Sequence, residues 1–397
     1  MTSQANSGGD LDVNQLVSDT DTGGRKPGPL VARIILLVAL AWSLFQLWIA
    51  SPLPFEFGVL VFNDTQSRAI HLAFSIFLAY LAFPAFKASP RNRIPVADWV
   101  LALLGAFCAA YLFTFYRELA ERPGQPNTQD LVVAVLGLIT LLEATRRALG
   151  LPMVIVALVF LGYTFAGPYM PDLIAHKGAS LSRAMSHQWL TTEGVFGVAL
   201  GVSSGFIFLF VLFGSLLDKA GAGNYFIKSA FALLGHMRGG PAKAAVVSSA
   251  ATGLISGSSI ANVVTTGTFT IPLMKRVGYR GDQAGAVEVS SSVNGQLMPP
   301  VMGAAAFLMV EYVGIPYTQV IKHAFLPAII SYIALVYIVH LEALKADLKG
   351  LPRRSQATAL QRLAQLLATL AGFMVVSGGV YFSLGWVKQV WPSASMA

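Results

Sequence analysis

A single cysteine, Cys108, stands in 397 residues. That excludes an internal disulfide and any cysteine-based metal site. Cys108 lies in an apolar run and reads as packing. Charge is also scarce: Asp, Glu, Lys and Arg make up 12% of the chain, against roughly 25% in soluble globular proteins. Enzyme signatures are missing. There is no P-loop, Gly253-Leu254-Ile255-Ser256-Gly257 does not fit G-x-S-x-G, and no paired carboxylates share a helix face. His71, His176, His187, His236, His323 and His340 show no HExxH spacing and read mostly as interfacial residues near span ends. The chain is therefore not expected to be an enzyme, to need a cofactor, or to drive transport with ATP by itself. No short apolar stretch follows Met1, which argues against a cleaved signal peptide.

What is abundant is apolar. Hydrophobic residues make up 55% of the chain and the mean hydropathy is +0.64. Most of the chain is expected to lie in lipid or against other membrane helices. The net charge of +8 does not point to nucleic acid, because the basic residues sit in short loops between apolar runs. Such a pattern is a topology signal. Residues 1–29 are polar and read as a disordered cytoplasmic tail.

The fold expected is an all-α polytopic membrane protein with about nine transmembrane helices and one re-entrant helical hairpin. The spans are placed near 31–50, 69–87, 97–115, 130–147, 151–169, 195–217, 283–312, 319–342 and 363–387. Arg25, Lys26 and Arg33 place the N-terminus inside. Lys87, Arg91 and Arg93, then Arg146 and Arg147, Lys219, and Lys345, Lys349, Arg353 and Arg354 mark further inside loops. In the 116–129 loop Arg117 and Arg122 alternate with Glu118 and Glu121, and charge leaves its side undecided. Residues 180–193, with Trp189, read as a segment along the outer surface, and 223–237 as an interfacial helix. Four spans within 30–149 form one unit and 150–397 a second. The junction Gly150-Leu151-Pro152 is too tight for a flexible linker, so the two are expected to pack as one assembly.

Two breaks interrupt the second unit. In 242–276 two limbs flank Ser256-Gly257-Ser258-Ser259. Each limb is about 15 residues, roughly 22 Å as helix, short of a hydrocarbon core of about 30 Å. Arg238 and Lys243 precede the limbs, and Lys275, Arg276 and Arg280 follow them. A hairpin that enters the membrane and returns satisfies both observations. In 283–312 the break is Asn294-Gly295-Gln296, then Pro299-Pro300. The two prolines remove backbone donors and free carbonyls one turn earlier. Lipid tolerates such breaks only where protein or a polar cavity surrounds them, and paired breaks are the usual pointer to a secondary transporter's binding site. The candidate ion- and substrate-binding residues are Ser256, Gly257, Ser258, Ser259, Asn262, Ser291, Ser292, Asn294, Gly295, Gln296, Pro299 and Pro300. Their carbonyl and hydroxyl oxygens suit a hard cation such as Na⁺, the one metal expected, and the N-terminus of the second limb suits an anion. Glu288 and Glu311 are candidate intramembrane acids.

The stretch GLISGSSIANVVTTGTFTIPLMKRVGY (253–279), followed by GAVEVSSSVNGQLMPPVMGAAAFLMVE (285–311), resembles the large permease subunit of tripartite ATP-independent periplasmic (TRAP) transporters. The GQLMPPVMGAAAF form is most similar to the TAXI branch, in which small and large membrane subunits are fused; the four spans before residue 150 match the small subunit's place. The resemblance implies an elevator-type carrier in the bacterial inner membrane, N-terminus cytoplasmic. A periplasmic solute-binding protein would deliver an organic acid or similar solute, and Na⁺ would drive uptake. Ser256–Ser259 and Asn294–Gln296 would line the ion and substrate sites. The family's large subunit has two inverted halves, each with a hairpin and a broken helix. This sequence shows one such set, so a second chain carrying the other half is an expected partner beside lipid. Another elevator-type ion-coupled carrier, or an inactive truncated membrane scaffold, are the competing readings.

Overall fold

Asparagine and proline decide where the helices of the first unit begin and end. In the computed structural model the described residues are 24–351 except 87, with scattered positions between 371 and 389. Residues 1–23 of the expected tail, Lys87, Arg353, Arg354 and most of the expected 363–387 span lie outside them. Among the described residues all regular structure is helical.

The first unit is built from α1 (Pro29–Ala50), α2 (Asp64–Ala82), α3 (Val96–Thr114) and α4 (Thr128–Leu149). Asn63 caps α2 by accepting from the Gln66 N–H at 2.8 Å while Gln66 accepts from the Asn63 N–H at 3.1 Å. Asn127 and Asp130 repeat this reciprocal box on α4, at 2.8 and 2.9 Å. The helix expected over 69–87 stops at Ala82, because Phe83 precedes Pro84 and a residue before proline avoids helical backbone.

Three basic segments assigned to one side of the membrane meet at one end of this bundle. The Arg25 and Lys26 N–H groups donate to Ala82 O and Arg91 O at 2.8 and 2.9 Å, so the end of the tail expected to be disordered over 1–29 instead docks on the bundle. Asp98, buried at the start of α3, pairs with Arg25 and Arg147. Arg146 donates to Ala85 O at 2.6 Å. The undecided 116–129 loop lies at the opposite end, where Asp130 holds Arg122 at 3.1 Å.

Two expectations are corrected here. Trp189 does not lie along a surface: it is fully buried, abutting Gly137 and donating to Cys108 O at 3.1 Å. The polarity of 180–193 hid a ring large enough to need a core, and glycine at 137 leaves the room. His71 is not interfacial but buried on α2. It meets the Trp42 Nε1 at 3.2 Å and Ser203 Oγ of the second unit at 3.2 Å. Cys108 is buried, as packing requires.

The second unit begins with α5 (Leu151–Ala166) and the long helix α6 (Val198–Lys219), which carries a π-turn over Ser203–Ile207. Arg68 of α2 clamps its start by donating to Phe196 O and Gly197 O, both at 2.9 Å. The amphipathic α7 (Ala222–Leu234) follows, where an interfacial helix is expected. Next come α8 (Gly240–Gly253), α9 (Ser259–Arg276), α10 (Gly281–Asn294), α11 (Ala304–Val313) and α12 (Tyr317–Lys345). Among the described residues five helical segments are long and apolar enough to cross a membrane: Pro29–Ala50, Val96–Thr114, Leu151–Tyr169, Val198–Lys219 and Tyr317–Lys345. They coincide with five of the expected spans. α2 and α4, 19 and 22 residues long, have the length but more polar ends.

The expected hairpin is α8 and α9. With 14 and 18 residues, they extend about 21 and 27 Å, less than a hydrocarbon core of about 30 Å. They run antiparallel: Ala242 and Val246 pack with Met274 at the base, while Ser249 meets Asn262 and Thr266 nearer the tip. α8 is buried along most of its length because Ala, Gly and Ser let α7, α9, α10 and α12 approach closely. The hairpin base and the 345–349 loop share one end, through Arg238–Asp347, Tyr279 OH to Val339 O at 3.4 Å, and the Leu351 N–H to Gly235 O at 2.9 Å.

That arrangement makes a test. Lys243 is buried with its Nζ 3.0 Å from His340 Nδ1, so the exposed Arg238 and Lys275 are the positions to probe. In a Cys108→Ser background, Arg238→Cys and Lys275→Cys are expected to react with membrane-impermeant thiol reagent from the same side. Reaction from opposite sides would mean that the limbs cross the membrane rather than return.

Candidate functional site

The two sequence breaks meet. A Cβ on Gly253 would come 2.8 Å from Gly295 Cα, and one on Gly257 would collide with Met302 O. The hairpin tip thus sits backbone to backbone on the break between α10 and α11, an approach that only glycine allows. Gln296 Nε2 donates to Ser259 Oγ at 2.8 Å and ties one break to the other. Within the second break, a 3-10 turn over Gly295–Leu297 leads to Met302 at φ 51°. The Gly303 N–H then returns to Gln296 O at 2.8 Å. Tyr332 OH donates to Ser291 O at 2.9 Å, and Tyr317 OH to Pro300 O and Val301 O at 2.5 and 3.1 Å. The Pro300 and Val301 carbonyls, left outside any helix, thus find a tyrosine partner.

Beside this junction lies a cavity of about 680 Å³. Ser256, Gly257, Ser258 and Gln296 line it from the two breaks, Phe210 and Asp218 from α6, and Thr252 from α8. Two helix N-termini open on it. α9 starts at Ser259, where Ser258 Oγ accepts from the Ala261 N–H at 3.2 Å, and α11 starts at Ala304, with Gly303, Ala304 and Ala305 in the wall. Helix N-termini present unpaired N–H groups and positive potential, so both favour an anionic group. Asp218 is the charged side chain among the described residues in the wall, and it favours a cation beside it.

A second cluster lies behind the tip. Glu288 is fully buried on α10. Its Oε1 accepts from Thr266 Oγ1, Ser292 Oγ at 3.3 Å and Ser249 Oγ at 3.4 Å, and its Oε2 from Thr270 Oγ1 at 2.5 Å. Gly267 admits it, since a Cβ there would stand 3.1 Å from Glu288 Cγ. Asn262 joins the cluster from α9 by donating to Ser249 O at 3.0 Å.

The candidate residues therefore separate into three groups. Ser256, Gly257, Ser258 and Gln296 reach the cavity, with Ser259 bridging. Asn262, Ser292 and Glu288 belong to the hydroxyl cluster. Ser291 spends its hydroxyl on Val287 O at 2.8 Å, while Asn294, Gly295, Pro299 and Pro300 shape the break without lining the cavity. Glu311 is exposed on α11, away from both. Ser249, Thr252, Thr270, Asp218 and the α11 N-terminus were not singled out by sequence. Ser249 and Thr252 lie before the break in what reads as plain helix. The Gly-Ala-Ala-Ala run after Pro299-Pro300 was a legible signal of a helix restart.

Residues 136–392 match the family described as Tripartite ATP-independent periplasmic transporter, DctM component. The C4-dicarboxylate TRAP transporter large permease protein DctM of Pseudomonas aeruginosa is 29% identical over 175 residues, 43% of this chain and 40% of that protein. The Sialic acid TRAP transporter large permease protein SiaM of Vibrio cholerae is 25% identical over 172 residues, 43% of this chain and 40% of that one. The Ectoine TRAP transporter large permease protein TeaC of Halomonas elongata is 28% identical over 177 residues, 44% and 40%. The chain thus aligns with about 40% of the length of these curated relatives. With the family match spanning most of the chain and both glycine-rich breaks inside it, the protein belongs to the DctM family of TRAP transporter membrane permeases.

Proposed function

We propose that this chain is the membrane permease component of a TRAP transporter that takes up an organic acid delivered by a periplasmic solute-binding protein, with Na⁺ as the driving ion. The observation that carries this reading is the cavity at the meeting of the two breaks, with the α9 and α11 N-termini opening on it. Two helix N-termini suit a carboxylate, and the Ser256–Ser258 hydroxyls and unwound carbonyls suit Na⁺ beside it. Names of relatives include carriers of C4-dicarboxylates and sialic acid, which is compatible with an acidic solute. We further assign residues 30–149 to a fused small subunit of the TAXI type, the N-terminus to the cytoplasm, and the hairpin to an elevator-type moving unit. Exposed Ser258 and Gln296 at the cavity fit a facing repeat, supplied by a second chain or by further sequence, that would close the site.

The test is uptake of radiolabelled carboxylates into vesicles holding this chain, the facing repeat and a cognate binding protein. Uptake is expected only with an inward Na⁺ gradient, each net charge moved inward gaining about 2.3 kcal/mol per 100 mV. Ser258→Ala is expected to raise the half-saturating Na⁺ concentration about 3- to 10-fold, the scale of one lost interaction of ~1 kcal/mol. Uptake that ignores Na⁺ would overturn the coupling ion, and uptake without any binding protein would overturn the delivery.

A further inference from the structure

Lys243 stands in the first turn of α8 and is 7% exposed. A buried ammonium is costly unless an anion meets it. The N-terminal end of a helix carries partial positive charge, which makes that need greater. Among the described residues no carboxylate pairs with Lys243. Helices α7 and α9, which pack on α8, carry no acid. On α10, Asp282 pairs with Arg280, and Glu288 is taken by hydroxyls of α8, α9 and its own helix. On the α12 side, Asp347 pairs with Arg238 and Glu342 is exposed. The contact that Lys243 does make is to a neutral acceptor, His340 Nδ1 at 3.0 Å. An ammonium only donates, so Nδ1 accepts and the ring hydrogen sits on Nε2. Two N–H groups of Lys243 and one of His340 are left to offer.

Both residues line one end of a groove of about 530 Å³ between α8 and α12, within the ~300–1,000 Å³ range of small-molecule sites. Away from that end its walls are apolar, with Val246, Val247 and Ala250 on α8 and Ile333, Val336 and Tyr337 on α12. From Lys243 to Ala250, and from His340 to Ile333, the groove follows about 10 Å of helix. That length fits within one leaflet of a hydrocarbon core about 30 Å thick. The basic end lies at the hairpin base, where Arg238, Lys275 and Arg276 are exposed as well. A cationic end and an apolar trough match the two parts of a lipid, and basic pockets between membrane helices take anionic head groups. A free anion would fill the basic end and leave the trough empty. We propose that this groove binds one anionic phospholipid, its phosphate on Lys243 and His340 and an acyl chain along Val246, Val247, Ile333 and Val336. The lipid supplies the counter-charge that the chain does not, and it splints the hairpin base to α12. The inference needs the hairpin base at the membrane surface and nothing of the coupling ion or the solute.

Native mass spectrometry of the full chain tests this without transport, so failure here and failure of the Na⁺-driven reading are separable. The delipidated protein in detergent is titrated with dioleoyl phosphatidylglycerol or with dioleoyl phosphatidylcholine. One phosphatidylglycerol is expected to be held about tenfold more tightly than phosphatidylcholine, and Lys243→Gln is expected to erase that difference, the scale of one charge-assisted hydrogen bond. Lys275→Gln, at an exposed position on the same base, is expected to change the affinity by less than about twofold. Val247→Trp fills the groove from an exposed position. It is expected to remove the bound phosphatidylglycerol, and it serves alone if Lys243→Gln does not fold. Glycerol 3-phosphate, which has a phosphate head and no chain, is expected not to displace the lipid. Equal retention of the two lipids, unchanged binding in Lys243→Gln or Val247→Trp, an equal loss in Lys275→Gln, or displacement by glycerol 3-phosphate would each overturn the proposal. So would disulfide-linked dimers of Val247→Cys in a Cys108→Ser background, which would give the groove to a second copy of the chain.

Discussion

Gly257→Val is expected to abolish uptake and to lower thermal stability. At this position even a Cβ would collide with Met302 O, so the larger side chain has to push the hairpin tip off the second break. Overpacking of this kind costs about 1–3 kcal/mol. The functional loss is larger than the stability loss, because the cavity wall is made of the two surfaces being separated, Ser256–Ser258 on one side and Met302–Ala305 on the other. Gly285→Ala is the control. That glycine is inside α10 with open space around its Cβ position, and alanine there is expected to keep full uptake and to gain up to ~1 kcal/mol of helix stability. Thermal unfolding in detergent and vesicle uptake are the two measurements. Wild-type uptake in Gly257→Val would mean that the contact between the breaks is incidental.

Asp98→Ala is expected to be the most destabilising substitution in the first unit. Asp98 stands between Arg25 and Arg147 with all three side chains at most 5% exposed. Breaking a buried ion pair by removing one partner typically costs about 3–5 kcal/mol, because the remaining charge is left uncompensated. Arg147 retains Glu143 at 2.7 Å and the Tyr80 ring at 4.6 Å; Arg25 retains the Tyr80 carbonyl at 3.3 Å. Arg25 is therefore the group that loses most. The segment it anchors should detach, and trypsin should cut after Arg25 far faster than in the parent protein. An unchanged melting temperature and digestion pattern would show that backbone pairing alone, Arg25 to Ala82 and Lys26 to Arg91, holds the segment. Asp98→Asn, which keeps shape but not charge, is expected to fall between the two.

Helix periodicity and apolar length were enough to locate the long helices, because a lipid-facing helix must satisfy its own backbone and advertises itself as a run of about 20 apolar residues. Pro299-Pro300 and Ser256–Ser259 were equally legible as breaks, since proline and glycine act locally on backbone geometry. Boundaries drifted where a cap rather than hydropathy decides them. α2 starts at the Asn63 box and stops before Pro84, neither of which changes an apolar average. Burial was misjudged where polarity and size conflict. Trp189 sits in a polar stretch and His71 near a span end, yet both are buried because Gly137 and Ser203 complement them from distant parts of the chain.

The sequence alone determined that the chain is helical and membrane-embedded, that a pair of short limbs returns on itself, and which dozen residues stand at the two breaks. These are properties of composition, element length and local backbone chemistry. Tertiary structure decided which of those residues belong together. Contacts such as Gly253 with Gly295, Gln296 with Ser259, and Thr266, Thr270 and Ser249 with Glu288 join positions 18 to 42 residues apart, a spacing that carries no periodic signal. Only packing of α8, α9 and α10 around one another places Glu288 in a hydroxyl cage and leaves Glu311 exposed on α11. Two acids that look alike in the chain therefore differ because one faces two neighbouring helices and the other neither of them.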